Sequence, residues 1–328
     1  MYKHRIQQLA PAMLACYLGM TSACMAPPQE TYREVQWPLP ATTDAGTPSP
    51  WHFGEAVAVA TTAQGTILVF HRGALPIMEF DVSGNFIRSL GGVSISGGKV
   101  TGVAPENRAP GGSGYTAVYG PAGCYSCGAH SIRVDPSGHI WIVDATAHAV
   151  YKTDSDGNVL LQLGEVGVSG TDESHFNLPT DVAFGTDGTI YVSDGYAGAR
   201  IVKFSNEGRF LLDWGSRGIG PGEFGLPHNL VVDGEGQVYI TDRDNQRIQV
   251  FDSNGKFLEE WEGVGGISTL YMTADQKIWA GGVLRSLDGT VAAMLPGDVG
   301  GHGTTVAADG SVFIAQLSGV VQKFEPVL

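Results

Sequence analysis

Cysteine is scarce in this chain: four among 328 residues, and only Cys124 and Cys127 lie beyond the first 24. A zinc ribbon needs a second C-x-x-C pair, which is absent. A haem-attachment motif needs His at position 128, where the chain has Gly128. In an exported protein a lone C-x-x-C pair is most simply a disulfide in a loop, so Cys124 and Cys127 are expected to pair. Basic residues are also few, with 19 Lys and Arg against 33 Asp and Glu and a formal net charge of −14. That balance argues against a nucleic-acid surface, which requires a basic face. There is no long amphipathic pattern of helical period. The N-terminal apolar stretch, roughly residues 9–20, is too short to span a bilayer.

That stretch does have a reading. Lys3, His4 and Arg5 precede it, and Thr21, Ser22, Ala23 and Cys24 follow it. A basic start, a short apolar run and small residues form an export signal over residues 1–24. The small residues before Cys24 resemble a bacterial lipoprotein site, although Thr21 replaces the usual Leu. Two outcomes stay open: a lipid anchor on Cys24, giving a periplasmic or cell-envelope lipoprotein, or simple secretion. Residues 25–50 then form a tether and a closing strand.

What the chain has in abundance is glycine, 47 residues, placed between short strand-like runs. Many short strands with Gly-rich turns suggest an all-β repeat fold. Residues 178–261 contain two copies of one unit. Leu178-Pro179-Thr180 matches Leu226-Pro227-His228, and Asp194-Gly195-Tyr196 matches Asp242-Arg243-Asp244, at an offset of 48. Self-similarity at such a period marks a solenoid, propeller or array. Further units run over residues 53–90 and 130–163, then more weakly over 266–295, and from His302 to the end. Residues 91–128 lack an apolar period and read as an insertion between repeats.

The last unit offers three strands, and residues 32–39 supply a candidate fourth. Such an exchange closes a ring and protects its edges. The expected fold is therefore an all-β, six-bladed β-propeller over residues 51–328, closed by an N-terminal strand. An open β-solenoid has shorter repeats and no reason to lack a strand at one end.

Aligned on the repeat, His130, His228 and His302 each begin their unit, in units two, four and six. Alternate units of a six-fold ring lie about 120° apart around the channel. The three imidazoles would thus meet on the axis, with Thr180 and Ser268 near the same place in units three and five. Taken singly, such histidines are more often structural or surface residues. Three at equivalent, alternate positions instead predict a catalytic type of Zn²⁺ site, with three His ligands and an open position. His52, His139, His148 and His175 do not share the pattern. Arg72 and Arg243 coincide when units one and four are overlaid, with Tyr196 one place further along in unit three. All three belong at the histidine rim if the second strand ends there. For Arg243 the plainer alternative is pairing with Asp242 or Asp244, and for Tyr196 loop packing. Asp144, Asp194 and Asp242 recur at one blade turn and are expected to bond to backbone.

The segments SDGYAGARIVKFS, LPHNLVVD and TDRDNQRIQVF carry a resemblance to the peptidyl-α-hydroxyglycine α-amidating lyases, which are NHL-repeat propellers. It covers most of residues 52–328 and is most specific over 176–251. The resemblance implies a Zn²⁺ held by His130, His228 and His302, a catalytic Tyr196, and functional Arg72 and Arg243. It implies cleavage of peptidyl-α-hydroxyglycine-type carbinolamides to an amide and glyoxylate. On that reading Tyr196 takes the hydroxyl proton, Arg243 favours its phenolate, and Arg72 holds the substrate carboxylate. The partner would be a small molecule or peptide ending in α-hydroxyglycine. No nucleic acid is expected, membrane contact comes only through a lipid anchor, and the chain is expected to be a monomer. Gly303 stands where the family has an Asp ligand to a structural Ca²⁺, which puts that calcium site in question. Gly300 replaces the family's Met beside the substrate, and Ala197 replaces a cysteine.

Two other classes compete. A non-catalytic NHL propeller could bind a protein or glycan at the cell envelope, since fold does not fix function. A metal-dependent hydrolase on a similar propeller would need acidic ligands, and the first-strand positions here are His, Thr and Ser.

Overall fold

The computed structural model describes residues 31–38, 41–42, 48–49, 51, 53–102, 114–119, 126–297 and 299–327. The expected export signal, Cys24, most of the tether, His52 and Cys124 lie outside the described residues. Among the described residues there are six four-stranded antiparallel sheets, the blades of a six-bladed β-propeller. Blade one is Ala56–Thr61, Ile67–His71, Ile77–Phe80 and Phe86–Leu90. Blade two is Ala129–Val134, Ile140–Asp144, Ala149–Thr153 and Val159–Leu163. Blade three is Asp181–Phe184, Ile190–Asp194, Arg200–Phe204 and Phe210–Trp214. Blade four is Pro227–Val232, Val238–Asp242, Arg247–Phe251 and Phe257–Trp261. Blade five is Leu270–Met272, Lys277–Ala280, Val283–Ser286 and Val291–Met294.

Blade six combines the two ends of the chain. Gly303–Val306, Val312–Gln316 and Val320–Pro326 are joined by Tyr32–Val35, which pairs antiparallel with the last of them in the register Tyr32↔Pro326. The closing strand is shorter than the 32–39 expected. Within the expected tether, Ala41–Thr42 pairs antiparallel with Pro48–Ser49. The insertion carries regular structure of its own, an antiparallel pair of Gly98–Gly102 with Tyr115–Tyr119. Among the described residues no helix is long and apolar enough to cross a membrane.

Strand chemistry explains the layering. Second strands such as Ile140–Asp144, Ile190–Asp194 and Val238–Asp242 are buried throughout, because both of their faces meet neighbouring blades. Outer strands such as Phe210–Trp214 alternate between half-buried and exposed, as a one-sided strand should. The core consists of apolar clusters between adjacent blades. Trp141 and Val143 of blade two pack with Val182 and Val192 of blade three, and Trp279 of blade five packs with Ile314 of blade six.

The recurrent aspartates hold the turns of blades two, three and four. Asp194 accepts the Asn177 amide at 2.6 Å, Asp242 accepts those of Gly225 and Leu226, and Asp144 those of Ser96 and Ala147. A buried carboxylate placed there satisfies backbone donors that the sheets leave over. Cys127 is buried and disulfide-bonded, while its expected partner lies outside the described residues.

Candidate active site

A local irregularity aims the first two histidines. In blade two the register shifts between Ala129 and Ser131, and in blade four between Pro227 and Asn229, so His130 and His228 each sit at a β-bulge. A bulge re-aims a side chain out of the pleat, here toward the axis. His302 directly precedes Gly303–Val306 and is fixed by the hydrogen bond that its backbone N–H donates to the Ala315 carbonyl at 2.8 Å. The three ring centroids lie 4.7 to 4.8 Å from one another, an almost equilateral triangle.

Each imidazole is oriented by the blade that follows it. Nδ1 of His130 meets the Thr180 carbonyl at 2.5 Å, that of His228 the Ser268 carbonyl at 2.8 Å, and that of His302 the Val57 carbonyl at 2.8 Å. Odd blades thus supply backbone oxygen at the place where even blades supply histidine. A carbonyl can only accept, so each Nδ1 carries the proton and each Nε2 keeps its lone pair. Burial holds all three rings neutral. It pushes His302 down to about 4 and puts His130 and His228 well below the ordinary histidine value. The neighbouring imidazoles, Arg72 and Arg243 push His130 and His228 the same way.

The donor set therefore fits a metal ion. Three buried neutral imidazoles offer one ligand atom each, all within 4.8 Å of one another. Zn–N bonds are about 2.0–2.1 Å, so small rotations close this set on one ion. Hydrogen bonds from Nδ1 to backbone carbonyls are the outer-shell pattern that fixes tautomer and ring orientation in such sites.

Tyr196 joins this centre. Its phenol lies 3.0 Å from Nε2 of His130 and 3.5 Å from Nε2 of His228. Its loop presses on blade four so closely that a Cβ on Gly195 would sit 2.0 Å from the Pro227 carbonyl oxygen. Only glycine fits between them. Burial raises the pKa of Tyr196, and the opposing pull of Arg243 and Arg72 does not cancel it. In the metal-free protein the phenol is therefore favoured over the phenolate.

Both arginines also stand at this rim, because first and second strands run antiparallel and the second ends where the first begins, as in Pro227↔Asp242. Arg243 opens a 3-10 turn, Arg243–Asn245, and its guanidinium carbon lies 5.8 Å from the centroid of the Tyr196 ring. It bonds to Asp244 at 3.3 Å, as the plainer reading held, and also to Tyr115 at 2.8 Å. Arg72 donates to Glu55 and, at 3.2 Å, to the Ala129 carbonyl. Tyr115 and Glu55 are contributors that the sequence reading missed. Glu55 lies just ahead of blade one, and Tyr115 lies in the insertion, where no repeat guides the eye.

Gly303 has a local reason. A Cβ there would sit 2.5 Å from the Ala58 Cα and 3.0 Å from the Val57 oxygen, so an aspartate at this position does not fit the present backbone.

The comparisons with known proteins agree with this architecture. A family model described as DUF5128, a 6-bladed beta-propeller, matches residues 169–265. The probable peptidyl-alpha-hydroxyglycine alpha-amidating lyase of Caenorhabditis elegans is 27% identical over 290 residues, covering 80% of each chain. Peptidyl-alpha-hydroxyglycine alpha-amidating lyase 1 of Drosophila melanogaster is 36% identical over 145 residues, 40% of this chain and 27% of that one. This chain is similar to the peptidyl-α-hydroxyglycine α-amidating lyases. Peptidylglycine alpha-amidating monooxygenase of Rattus norvegicus is 33% identical over 213 residues, 62% of this chain. The match spans only 21% of that rat protein's length. Among solved structures, virginiamycin B lyase from Staphylococcus aureus superposes with a TM-score of 0.56 at 11% identity, over 90% of this chain and 99% of that one. At that identity the likeness concerns the fold alone. The lyase-named relatives and the three-histidine cluster together support a lyase-like propeller with a centre that could hold a metal.

Proposed function

We propose that the protein is a zinc-dependent carbon–nitrogen lyase that converts peptidyl-α-hydroxyglycine-type carbinolamides into an amide and glyoxylate. The observation that carries this reading is the convergence of three neutral imidazoles with a phenol 3.0 Å away and an arginine 5.8 Å from the phenol ring. His130, His228 and His302 would hold the ion. When bound there, Zn²⁺ supplies Lewis acidity toward a substrate hydroxyl.

The chain's own residues account for the proton balance. The reaction R-CO-NH-CH(OH)-COO⁻ → R-CO-NH₂ + OHC-COO⁻ breaks one C–N bond and moves one proton from hydroxyl oxygen to amide nitrogen. Burial favours the protonated phenol of Tyr196, while Arg243 and Arg72 favour its phenolate. Its oxygen can take the hydroxyl proton while its own proton passes to the departing nitrogen. The phenol is then unchanged after each turnover. Arg243 stabilises the negative charge that builds on the phenol oxygen during this exchange. Arg72 is the candidate anchor for the substrate carboxylate, which a guanidinium fork suits. Glu55 is the group already in that position, so the substrate carboxylate would displace it or share the guanidinium.

The substrate would be a small molecule or peptide with a C-terminal α-hydroxyglycine, met by a monomeric, exported protein. NHL repeat-containing protein 3 of Homo sapiens is 35% identical over 152 residues, 42% of this chain and 43% of that one, and a non-catalytic propeller that binds a protein or glycan at the cell envelope is the second reading. The deciding experiment incubates zinc-loaded protein with α-hydroxyhippurate and measures glyoxylate. The lyase reading expects stoichiometric glyoxylate and one zinc per chain. Absence of both sinks it, and zinc without glyoxylate moves the substrate elsewhere.

A further inference from the structure

The insertion between blades one and two returns across the mouth of the ring. Its described strands, Gly98–Gly102 and Tyr115–Tyr119, are fixed at the base. Ser96 bonds to Asp144, Thr146 Oγ1 donates to the Gly98 carbonyl at 2.9 Å, and Lys99 pairs with Glu55 at 2.7 Å. Glu55 in turn pairs with Arg72. At the far side the hairpin sets Tyr115 on residues of blades three and four. Its ring meets that of Tyr196 edge-on, with centroids 5.0 Å apart. Its hydroxyl accepts Nη2 of Arg243 at 2.8 Å and donates to the Asp244 carboxylate at 2.9 Å. The Arg243 guanidinium carbon lies 5.7 Å from the Tyr115 ring and 5.8 Å from the Tyr196 ring. The hairpin therefore reaches Arg243 directly and Arg72 through Glu55.

We propose that Tyr115 is a positioning residue, whose hydroxyl holds the Arg243 guanidinium beside the Tyr196 ring and so completes a site that the propeller repeat alone leaves unfinished. The inference rests on the reading of Tyr196 and Arg243 as reacting machinery. Its physical basis is a competition for one cation. Asp244 is the next residue in the chain and already takes Nε of Arg243 at 3.3 Å. The Tyr115 hydroxyl draws Nη2 the other way and occupies the same carboxylate with its own proton. Without that hydroxyl the pull of Asp244 is opposed only by the contact of Arg243 with Tyr196, and the guanidinium shifts toward the carboxylate. The packing of Tyr115 against Tyr196, Leu178 and Leu226 is apolar and does not need the hydroxyl.

Tyr115→Phe separates the two contributions, since it keeps the ring and removes only the oxygen. The expected result is a fall in kcat/KM for α-hydroxyhippurate of about tenfold or more, the scale of a lost hydrogen bond to a charged group. Zinc content and the thermal midpoint should not change. In an Arg243→Ala background the same substitution should cost less than twofold, because a residue acting through Arg243 has nothing left to act on. A full-sized loss in that background overturns the proposal. A lowered midpoint with unchanged kinetics overturns it as well, since that is the mark of a merely structural residue. A crystal structure of Tyr115→Phe reads the geometry without turnover. The guanidinium displaced toward Asp244 supports the proposal, and the guanidinium still held between the two rings contradicts it. If the wild-type protein makes no glyoxylate, the lyase reading fails by itself, and the crystal structure still decides the role of Tyr115.

Discussion

Arg243 and Arg133 are two half-buried guanidinium groups of the inner part of the ring, and they are used in opposite ways. Arg133 sits three residues beyond His130 on the same innermost strand, about 10 Å deeper at ordinary strand rise. There it donates to both oxygens of Asp181, to the Asn229 side chain at 2.7 Å and to the Leu270 carbonyl at 3.1 Å. One side chain of blade two thus links blades three, four and five. Ser131 and the Leu230 amide complete the shell of Asp181. At the deep end the polar groups are turned toward one another, and the network has a structural character. At the mouth, three Nε2 atoms and a phenol face a common space, while Arg243 is steadied by groups outside the ring repeat. A buried polar cluster whose members answer one another holds a fold together. One whose lone pairs converge on a shared centre is built for something that arrives from outside.

The sharpest way to break this comparison is to remove one group from each end. His228→Ala should abolish stoichiometric zinc binding and reduce turnover by about a thousandfold or more, the order seen when a group central to transition-state charge is lost. The metal-free protein's thermal midpoint should hardly move. Elemental analysis and calorimetry on the same sample check both halves of that expectation. Arg133→Ala should do the reverse. It leaves the Asp181 carboxylate, which is 0% exposed, without its cation. Breaking a buried pair in this way costs about 3–5 kcal/mol. Denaturant unfolding should register that loss, while zinc content at low temperature stays at one per chain.

A smaller effect follows from pH. His302 is lowered to about 4 in the folded protein from an ordinary value of 6.5. Between those values the unfolded chain takes up a proton that the folded imidazole refuses. The metal-free protein should therefore lose stability as pH falls from 6.5 toward 4, by at most about 3 kcal/mol from this group, and the loss should level off below 4. His130 and His228 act in the same direction. Saturating zinc should flatten the upper part of the curve, because a bound metal stabilises only the folded form. Urea midpoints at stepped pH, with and without zinc, measure it.

Much of this was legible in the sequence because the repeat supplies coordinates. Once Leu178 is set on Leu226, the positions of His130, His228 and His302 fall in phase on alternate blades, and an even six-fold ring brings alternate positions together. Arg72, Tyr196 and Arg243 could be assigned to one rim for the same reason. Phase gives place but not partners. It does not say that Arg72 meets Glu55, or that Arg133 crosses the channel to an asparagine 96 residues away. It is silent on Tyr115, which stands outside the repeat and reaches Arg243 only because the hairpin folds back over the ring. Nor could it weigh burial against charge at Tyr196. The expectation that Arg243 would favour a phenolate named a real interaction, yet the desolvation of the ring is larger.

Glyoxylate release by Tyr196→Phe, measured beside the wild type at equal zinc content, tests the central claim most directly. The phenol relay predicts one zinc per chain in both proteins and glyoxylate from the wild type alone. Turnover by the variant at the wild-type rate, or loss of zinc along with the hydroxyl, would contradict it.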